Sequence, residues 1–444
     1  MSTKYTRRDF LKSSAIAAVG ASTFTAASYS RILGANDRVN FAIIGVRGRG
    51  REHANSIVAC KNTSITHICD VDERFIETGS ELVKELTGKK PKAFRDIRKL
   101  LESKKIDAIT IATPEHWHAH MTVMGLEAGK HVYVEKPPCH NPAEADLIVA
   151  AQEKYGLQVQ MGNQQRSSYH TIEAMKRIHD GEIGDVYMGK AWYSNNRGSI
   201  GVGKEVPVPD YLDWELWQGP APRRVYKDNY HPYNWHWFWH YGTGETLNNG
   251  THEVDLCVWA LKAGYPKKVT ASGGRYHFAD DWQFYDTLVT SYEYDDKMIT
   301  WEGRSCNNMQ FFNRGRGATI HGTKGTLLID RNGYEIYDND MKKTFVYEKK
   351  EKDVTTGLGG GGPMTDEHFQ NFINAIQGKD NLHSPIKEGV VAVKMLLLSN
   401  IAWKYGRVLN LDQKTGKILD DPEAMSLWQR DYEPGWELKL QGNL

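Results

Sequence analysis

Val39-Asn40-Phe41-Ala42-Ile43-Ile44, an apolar run of strand length, leads without a break into Gly45-Val46-Arg47-Gly48-Arg49-Gly50, and a helical pattern takes over near His53. Strand, glycine-rich turn and helix in that order form the first unit of a dinucleotide-binding fold. Glycines permit the tight turn and let backbone approach a pyrophosphate, while the helix start offers free N–H groups to its charge. Gly45, Gly48 and Gly50 are therefore candidate cofactor contacts. In G-x-G-x-x-G the second glycine falls at position 47, where this chain has Arg47, which either clasps the pyrophosphate or fills space. A second strand, Ile65 to Cys69, ends in Asp70, 25 residues beyond Gly45, and a carboxylate there accepts from ribose hydroxyls and repels a 2′-phosphate. The pattern favours NAD over NADP.

The βα rhythm continues outward. Ile106 to Ala112 reads as a buried parallel strand, and Thr113-Pro114 ends it. Glu115-His116-Trp117-His118-Ala119-His120 follows, a turn expected beside the cofactor that opens a helix from Met121 to Ala128. Three alternating histidines invite a metal reading, but no HExxH or Cys/His set accompanies them, so no metal is assigned. The next strand, His131-Val132-Tyr133-Val134-Glu135, delivers Lys136 between a carboxylate and Pro137-Pro138. A lysine held in a cleft loses pKa to desolvation and neighbouring cations and can exchange a proton near neutral pH; the alternative is a solvated lysine at a strand end. Gln158 to Asn163 reads as the last strand of this unit.

Further along, residues 197–241 lose regular periodicity and are dense in aromatic side chains, among them Trp235, His236 and His240. The two histidines have the spacing of metal ligands on one helical face, yet a sugar-binding wall or a subunit contact suits so aromatic a segment better. Beyond it, Gly242-Thr243-Gly244 approaches a helix carrying Asn248 and His252, four residues apart and hence on one face. Period-two runs between Lys268 and Trp301, and the segment Ala318 to Leu327, read as antiparallel strands.

The glycine turn, Asp70, Thr113-Pro114-x-x-x-His118, Ala128-Gly129-Lys130-His131-Val132 and above all Glu135-Lys136-Pro137 together resemble the glucose–fructose oxidoreductase / inositol dehydrogenase / MocA family, over nearly all of residues 38–410. The resemblance implies an α/β protein with an N-terminal Rossmann domain, residues 35–163, and a C-terminal α/β domain with a large open, mainly antiparallel sheet, residues 164–444. It further implies that Thr113, Pro114, His118, Glu135, Lys136 and Asn163 attend the cofactor, that Arg166 lies in a loop contacting substrate, and that His252 fills the family's histidine position while Asn248 stands where many members have Asp. An amide cannot shuttle a proton as a carboxylate does, so catalysis falls to Lys136 and His252, with Arg166, Trp235, His236 and Asn248 as further substrate contacts.

Bulk composition excludes other classes. With 56 Lys+Arg against 55 Asp+Glu the net charge is +1, which argues against nucleic acid or an anionic membrane as partner. Five cysteines, odd in number and without CxxC spacing, read as buried thiols. Thirteen Trp and 22 Tyr serve sugar stacking, cores or interfaces alike. At the N-terminus, Thr6-Arg7-Arg8-Asp9-Phe10-Leu11-Lys12 ahead of an uncharged Ala/Ser/Thr-rich stretch looks like a twin-arginine export signal over residues 1–34, too polar for a stable membrane anchor. The expected protein is a homo-oligomeric enzyme, dimer or tetramer, periplasmic or otherwise exported by the twin-arginine route, that holds NAD tightly. Its expected reaction oxidises a carbinol of a sugar or glycoside, at C3 in the expected case. The alternatives are an NAD-dependent glycosidase working by oxidation, elimination, hydration and re-reduction, and a sugar-binding protein that has lost catalysis.

Overall fold

The computed structural model describes residues 38–347 and 362–440, so the segment expected to be an export signal lies outside the described residues. Six strands, β1 (Val39–Ile44), β2 (Thr63–Cys69), β3 (Lys92–Phe94), β4 (Ala108–Ile111), β5 (His131–Glu135) and β6 (Val159–Gly162), form an all-parallel sheet in the order β3-β2-β1-β4-β5-β6. This is the doubly wound order in which the chain reverses direction beside β1, leaving a crevice at the carboxyl ends of the strands. The apolar runs of β1, β4 and β5 are buried on both faces, as a parallel sheet covered by helices requires.

A second, nine-stranded sheet follows, built from β7 (Val186–Ser194), β8 (Lys268–Gly274), β9 (Thr287–Glu293), β10 (Met298–Arg304), β11 (Arg316–Gly322), β12 (Gly325–Asp330), β13 (Gly333–Tyr337), β14 (Lys343–Val346) and β15 (Leu409–Asn410). Its order is β14-β13-β12-β11-β7-β10-β9-β8-β15, antiparallel throughout except where β7 and β10 run parallel. One face carries the helix Gly244–Ala260, which lies over β7, β10 and β11. The fold class expected from sequence is the one observed.

Two helices extend further towards the N-terminus than the sequence pattern suggests. The helix expected near His53 begins at Gly48, which puts two of the turn's glycines inside its first turns. The helix expected from Met121 runs Glu115–Glu127, so His116, His118 and His120 stand on a helix rather than in a turn. Eleven of its thirteen residues are buried, and a helix covered on all sides offers no 3.6-residue contrast to read. Residues 234–237 form only a short 3-10 turn, which removes the shared helical face supposed for His236 and His240.

Though it follows the second sheet in the chain, the helix Pro363–Ile376 packs against the first. Phe369 stacks on Tyr133 of β5 with ring centroids 4.2 Å apart, and both Phe369 and Phe372 contact Phe41 of β1. All five cysteines are buried, and none is in a disulfide. Among the described residues no helix is long and apolar enough to cross a membrane.

Candidate active site

A cavity of about 850 Å³ opens where the carboxyl ends of β1, β2, β4 and β5 face the helix Gly244–Ala260 and the β12–β13 hairpin. One end has the makings of a dinucleotide slot. Gly45 has φ +80, and a Cβ there would sit 2.6 Å from the Ala112 carbonyl oxygen, so only glycine lets the chain leave β1 at this angle. A Cβ on Gly48 would meet nothing within 4 Å, which leaves the helix start open to the cavity. Gly50 does not line the cavity; its missing side chain lets the helix rest on the Gly45 carbonyl, which a Cβ would approach to 1.8 Å. Asp70 reaches the slot from the end of β2, its carboxylate accepting from the N–H groups of Val46 and Asp72 at 2.9 and 3.1 Å. Burial pushes its pKa up to about 6 against those two hydrogen bonds. Cradle, open helix start and carboxylate fit an adenine dinucleotide.

Over this slot runs a strap that sequence periodicity left as irregular. Its backbone joins the end of β2 through Glu73 N donating to Tyr211 O at 2.9 Å and Asp213 N donating to Val71 O at 3.0 Å. Trp117 Nε1 donates to the Trp217 carbonyl at 3.0 Å, and Arg47 crosses from the glycine turn to lie between Phe75 and Tyr233 and donate to Pro232 O at 3.4 Å. Most strap aromatics pack on one another, as Trp214 does on Trp217 with centroids 4.7 Å apart, forming a core of their own. Trp235 and His236, stacked at 3.6 Å, do line the cavity, and His236, half-buried and donating from Nδ1 to the Tyr233 carbonyl at 2.6 Å, is held neutral by desolvation. His240 stands outside it.

At the other end stands Lys136, whose ammonium donates to the main-chain oxygen of Asn248 and to its Oδ1 at 3.3 Å. Burial lowers its pKa to about 8, with Arg49 and Arg331 adding to the effect and Glu135 and Glu115 opposing it. Glu115, at the start of the helix Glu115–Glu127, accepts from Thr243 Oγ1 and is pushed by burial up to about 8. Glu135 behaves oppositely. Burial works against its carboxylate, but Arg49 at 3.2 Å and His53 at 3.0 Å hold it ionised at about 2, and Gln164 donates to the same oxygen at 3.0 Å. Gly162 leaves room for that carboxylate, which a Cβ would meet at 2.7 Å.

His252 lines the cavity beside Lys136, and its pKa is driven well down by burial and by the nearby charges of Arg331 and Lys136. Its Nδ1 lies 2.9 Å from Asn163 Oδ1, while Asn163 Nδ2 donates to Asp255 Oδ2 at 2.6 Å. An ionised Asp255 only accepts, so the amide must present Oδ1 to the ring, Nδ1 must carry the proton, and Nε2 is left with its lone pair. Asp255 is itself gripped by Arg166 through Nε at 2.7 Å and Nη2 at 2.9 Å.

Two expectations are thereby corrected. Asn163 and Arg166 do not line the cavity: both are buried behind His252, Asn163 as its hydrogen-bond partner and Arg166 committed to Asp255 and Glu388. The loop after β6 turns away from the crevice because its polar groups are consumed in this network. His118 borders the cavity, but its ring nitrogens lie 2.6 Å from Pro137 O and 2.8 Å from Thr113 O, so it ties the lysine turn to the Thr113-Pro114 turn. His116 and His120 likewise face the carbonyls of Trp217 and Trp436, at 2.9 and 2.8 Å. Among the described residues no three His, Cys, Asp or Glu gather to hold a metal ion. Sequence reasoning passed over Arg49, Glu115 and Arg331; Arg49 lies inside the quoted glycine turn, whereas an arginine in a hairpin bend gives no signal at all.

A Rossmann crevice, a depressed lysine at the end of its fifth strand and a neutral histidine from the facing domain define a nicotinamide-dependent oxidoreductase. Residues 39–163 match the oxidoreductase family's NAD-binding Rossmann fold and residues 185–438 its C-terminal alpha/beta domain, so the chain belongs to the glucose–fructose oxidoreductase / inositol dehydrogenase / MocA family. Among curated proteins it is similar to glycosyl hydrolase family 109 protein 1 of Akkermansia muciniphila, 27% identical over 161 residues that cover 35% of this chain and 34% of that relative's length. The shared segment thus spans about a third of that relative. Among solved structures it resembles levoglucosan dehydrogenase in complex with NADH and levoglucosan, with a TM-score of 0.66 at 16% identity, covering 84% of this chain and 99% of that one. The WlbA dehydrogenase from Bordetella pertussis in complex with NADH and UDP-GlcNAcA gives a TM-score of 0.63 at 19% identity, over 84% and 99% of the two chains.

Proposed function

We propose that this protein oxidises a carbinol of a sugar or glycoside, C3 of a glycoside being the favoured case, with Lys136 as the acid/base. The observation that carries the reading is the placement of Lys136 Nζ, with its pKa near 8, in one cavity with His252 and the glycine turn. A bound nicotinamide supplies the site with a hydride acceptor. Lys136 in its neutral form takes the proton of the reacting hydroxyl. His252 Nε2, fixed as an acceptor by Asn163, orients that hydroxyl or its neighbour. The Asn248 amide holds the ammonium and contacts the sugar edge, and the Trp235–His236 pair offers the ring a flat wall. The strap across the slot excludes water and supports a tightly held NAD. Such retention suits export by the twin-arginine signal read in residues 1–34, because a folded passenger carries its cofactor with it.

A second reading, an NAD-dependent glycosidase, is favoured by the name of the Akkermansia relative. The same lysine and histidine serve it, and only the products differ. Native mass spectrometry of the purified protein, followed by incubation with aryl glycosides, separates the cases. Co-purifying NAD together with a keto-glycoside supports the dehydrogenase, and free aglycone without net reduced nicotinamide supports the glycosidase. Absence of nucleotide together with failure to bind added NAD would overturn both.

A further inference from the structure

Arg331 and Asn332 are the two residues that join β12 to β13. An arginine at the bend of a hairpin is ordinarily solvated, yet Arg331 lines the cavity, and its Nε is buried without a hydrogen-bond partner. The cations around it are already answered. Arg49 is paired with Glu135 at 3.2 Å, Arg197 with Glu245 at 2.5 Å, and Arg316 grips Glu253 through two bonds of 2.7 and 3.0 Å. Even the adjacent carboxylate, Asp330, is taken by Arg314 at 2.9 Å. Among the described residues Arg331 has no carboxylate of its own.

Arg331 is half-buried, and a guanidinium on a cavity wall with its Nε shut off from water and no carboxylate of its own is costly to hold until something arrives to pair with it. The cofactor's pyrophosphate is not that partner, because its place is at the glycine turn and helix start on the opposite domain. Arg331 instead projects its charge onto His252 and Lys136, the two groups at the reacting end. Resting on the reading of this cavity as a sugar site, we infer that the sugar it takes is anionic, a carboxylate or a sulfate or phosphate ester seating on the Arg331 fork. A planar guanidinium with free donors suits any of these oxyanions and gives a neutral sugar nothing comparable. Burial and Arg316 press its pKa down while Glu253, already held by Arg316, pulls it up, and an anion seated on the fork would act in the same direction as Glu253.

The test is a binding titration on the NAD-loaded protein, read by tryptophan fluorescence or calorimetry and independent of turnover. D-Glucuronate, D-glucose 6-sulfate and D-glucose 6-phosphate are compared with D-glucuronamide and D-glucose. At least one anion is expected to bind about tenfold or more tighter than its neutral counterpart. Arg331→Gln is expected to erase that preference, Arg331→Lys to keep part of it, and both to leave NAD affinity unchanged. Equal binding of charged and neutral sugars by the native protein, binding by none, or a preference surviving in Arg331→Gln overturns the inference. So does a loss of NAD affinity in Arg331→Gln, which would assign the guanidinium to the cofactor. Anion preference without reduced nicotinamide or released aglycone supports the inference while removing the proposed reaction.

Discussion

The chemistry at Lys136 is set by competition between burial and charge. Desolvation lowers its pKa, and Glu115 and Glu135 pull it back up. Oxidation needs the neutral amine, so kcat/KM for sugar oxidation should rise as pH increases through about 8 and level off above it. Glu115 raises the lysine pKa, so Glu115→Gln should move that midpoint to lower pH, measurable in a pH–rate profile. Lys136→Ala should lower kcat by about 10²- to 10⁴-fold while bound NAD stays at its native level. The tautomer of His252 carries a separate prediction. Asn163→Ala removes the acceptor that fixes the proton on Nδ1 and should lower kcat/KM without moving the rise near pH 8; an unchanged kcat/KM would show that Asn163 does not orient the ring. Lys136 and His252 were legible in sequence because Glu-Lys-Pro and the i, i+4 pair are local patterns. The Asn163–Asp255–Arg166 chain was not, since its members come from a loop and a helix that meet only in the folded molecule.

At the level of elements, the glycine turn divides into a part that packs and a part that faces ligand. Gly50 permits contact between helix and strand, and Gly50→Ala, with its Cβ 1.8 Å from the Gly45 oxygen, should lower stability by about 1–3 kcal/mol or more, seen as a fall in Tm. Gly48→Ala meets no protein atom within 4 Å and should leave Tm unchanged while weakening NAD binding, because the added methyl stands on the open side of the helix start. The opposite pattern would reverse the assignment of the two positions. The displaced glycine of the motif thus makes physical sense. Gly45 satisfies the turn, Gly50 the packing, and the middle position carries Arg47, whose guanidinium reaches across to the strap rather than crowding the backbone.

In the whole molecule, the parallel sheet does not own all of its covering. Its strand order follows from the βα rhythm, and that much was readable in the first 163 residues, as was the antiparallel character of the second sheet from its period-two runs. Which helix closes each face was not readable, because amphipathicity names a buried side without naming the partner. The helix Pro363–Ile376, some two hundred residues downstream of β6, inserts Phe369 and Phe372 against Phe41 and Tyr133, all four fully buried. The dinucleotide-binding unit is therefore complete in space but not in sequence. Phe369→Ala removes a stacked ring from this junction and should cost about 3–5 kcal/mol, lowering the temperature at which the first sheet unfolds. A fragment of residues 38–163 should expose the same apolar face, lack a cooperative thermal transition and bind NAD far more weakly than the whole chain. If instead that fragment melts cooperatively and binds NAD as the whole chain does, the helix is only a cover. The crevice would then belong to the first sheet alone, with the second domain supplying His252, Asn248 and Arg331 to a cofactor site already formed.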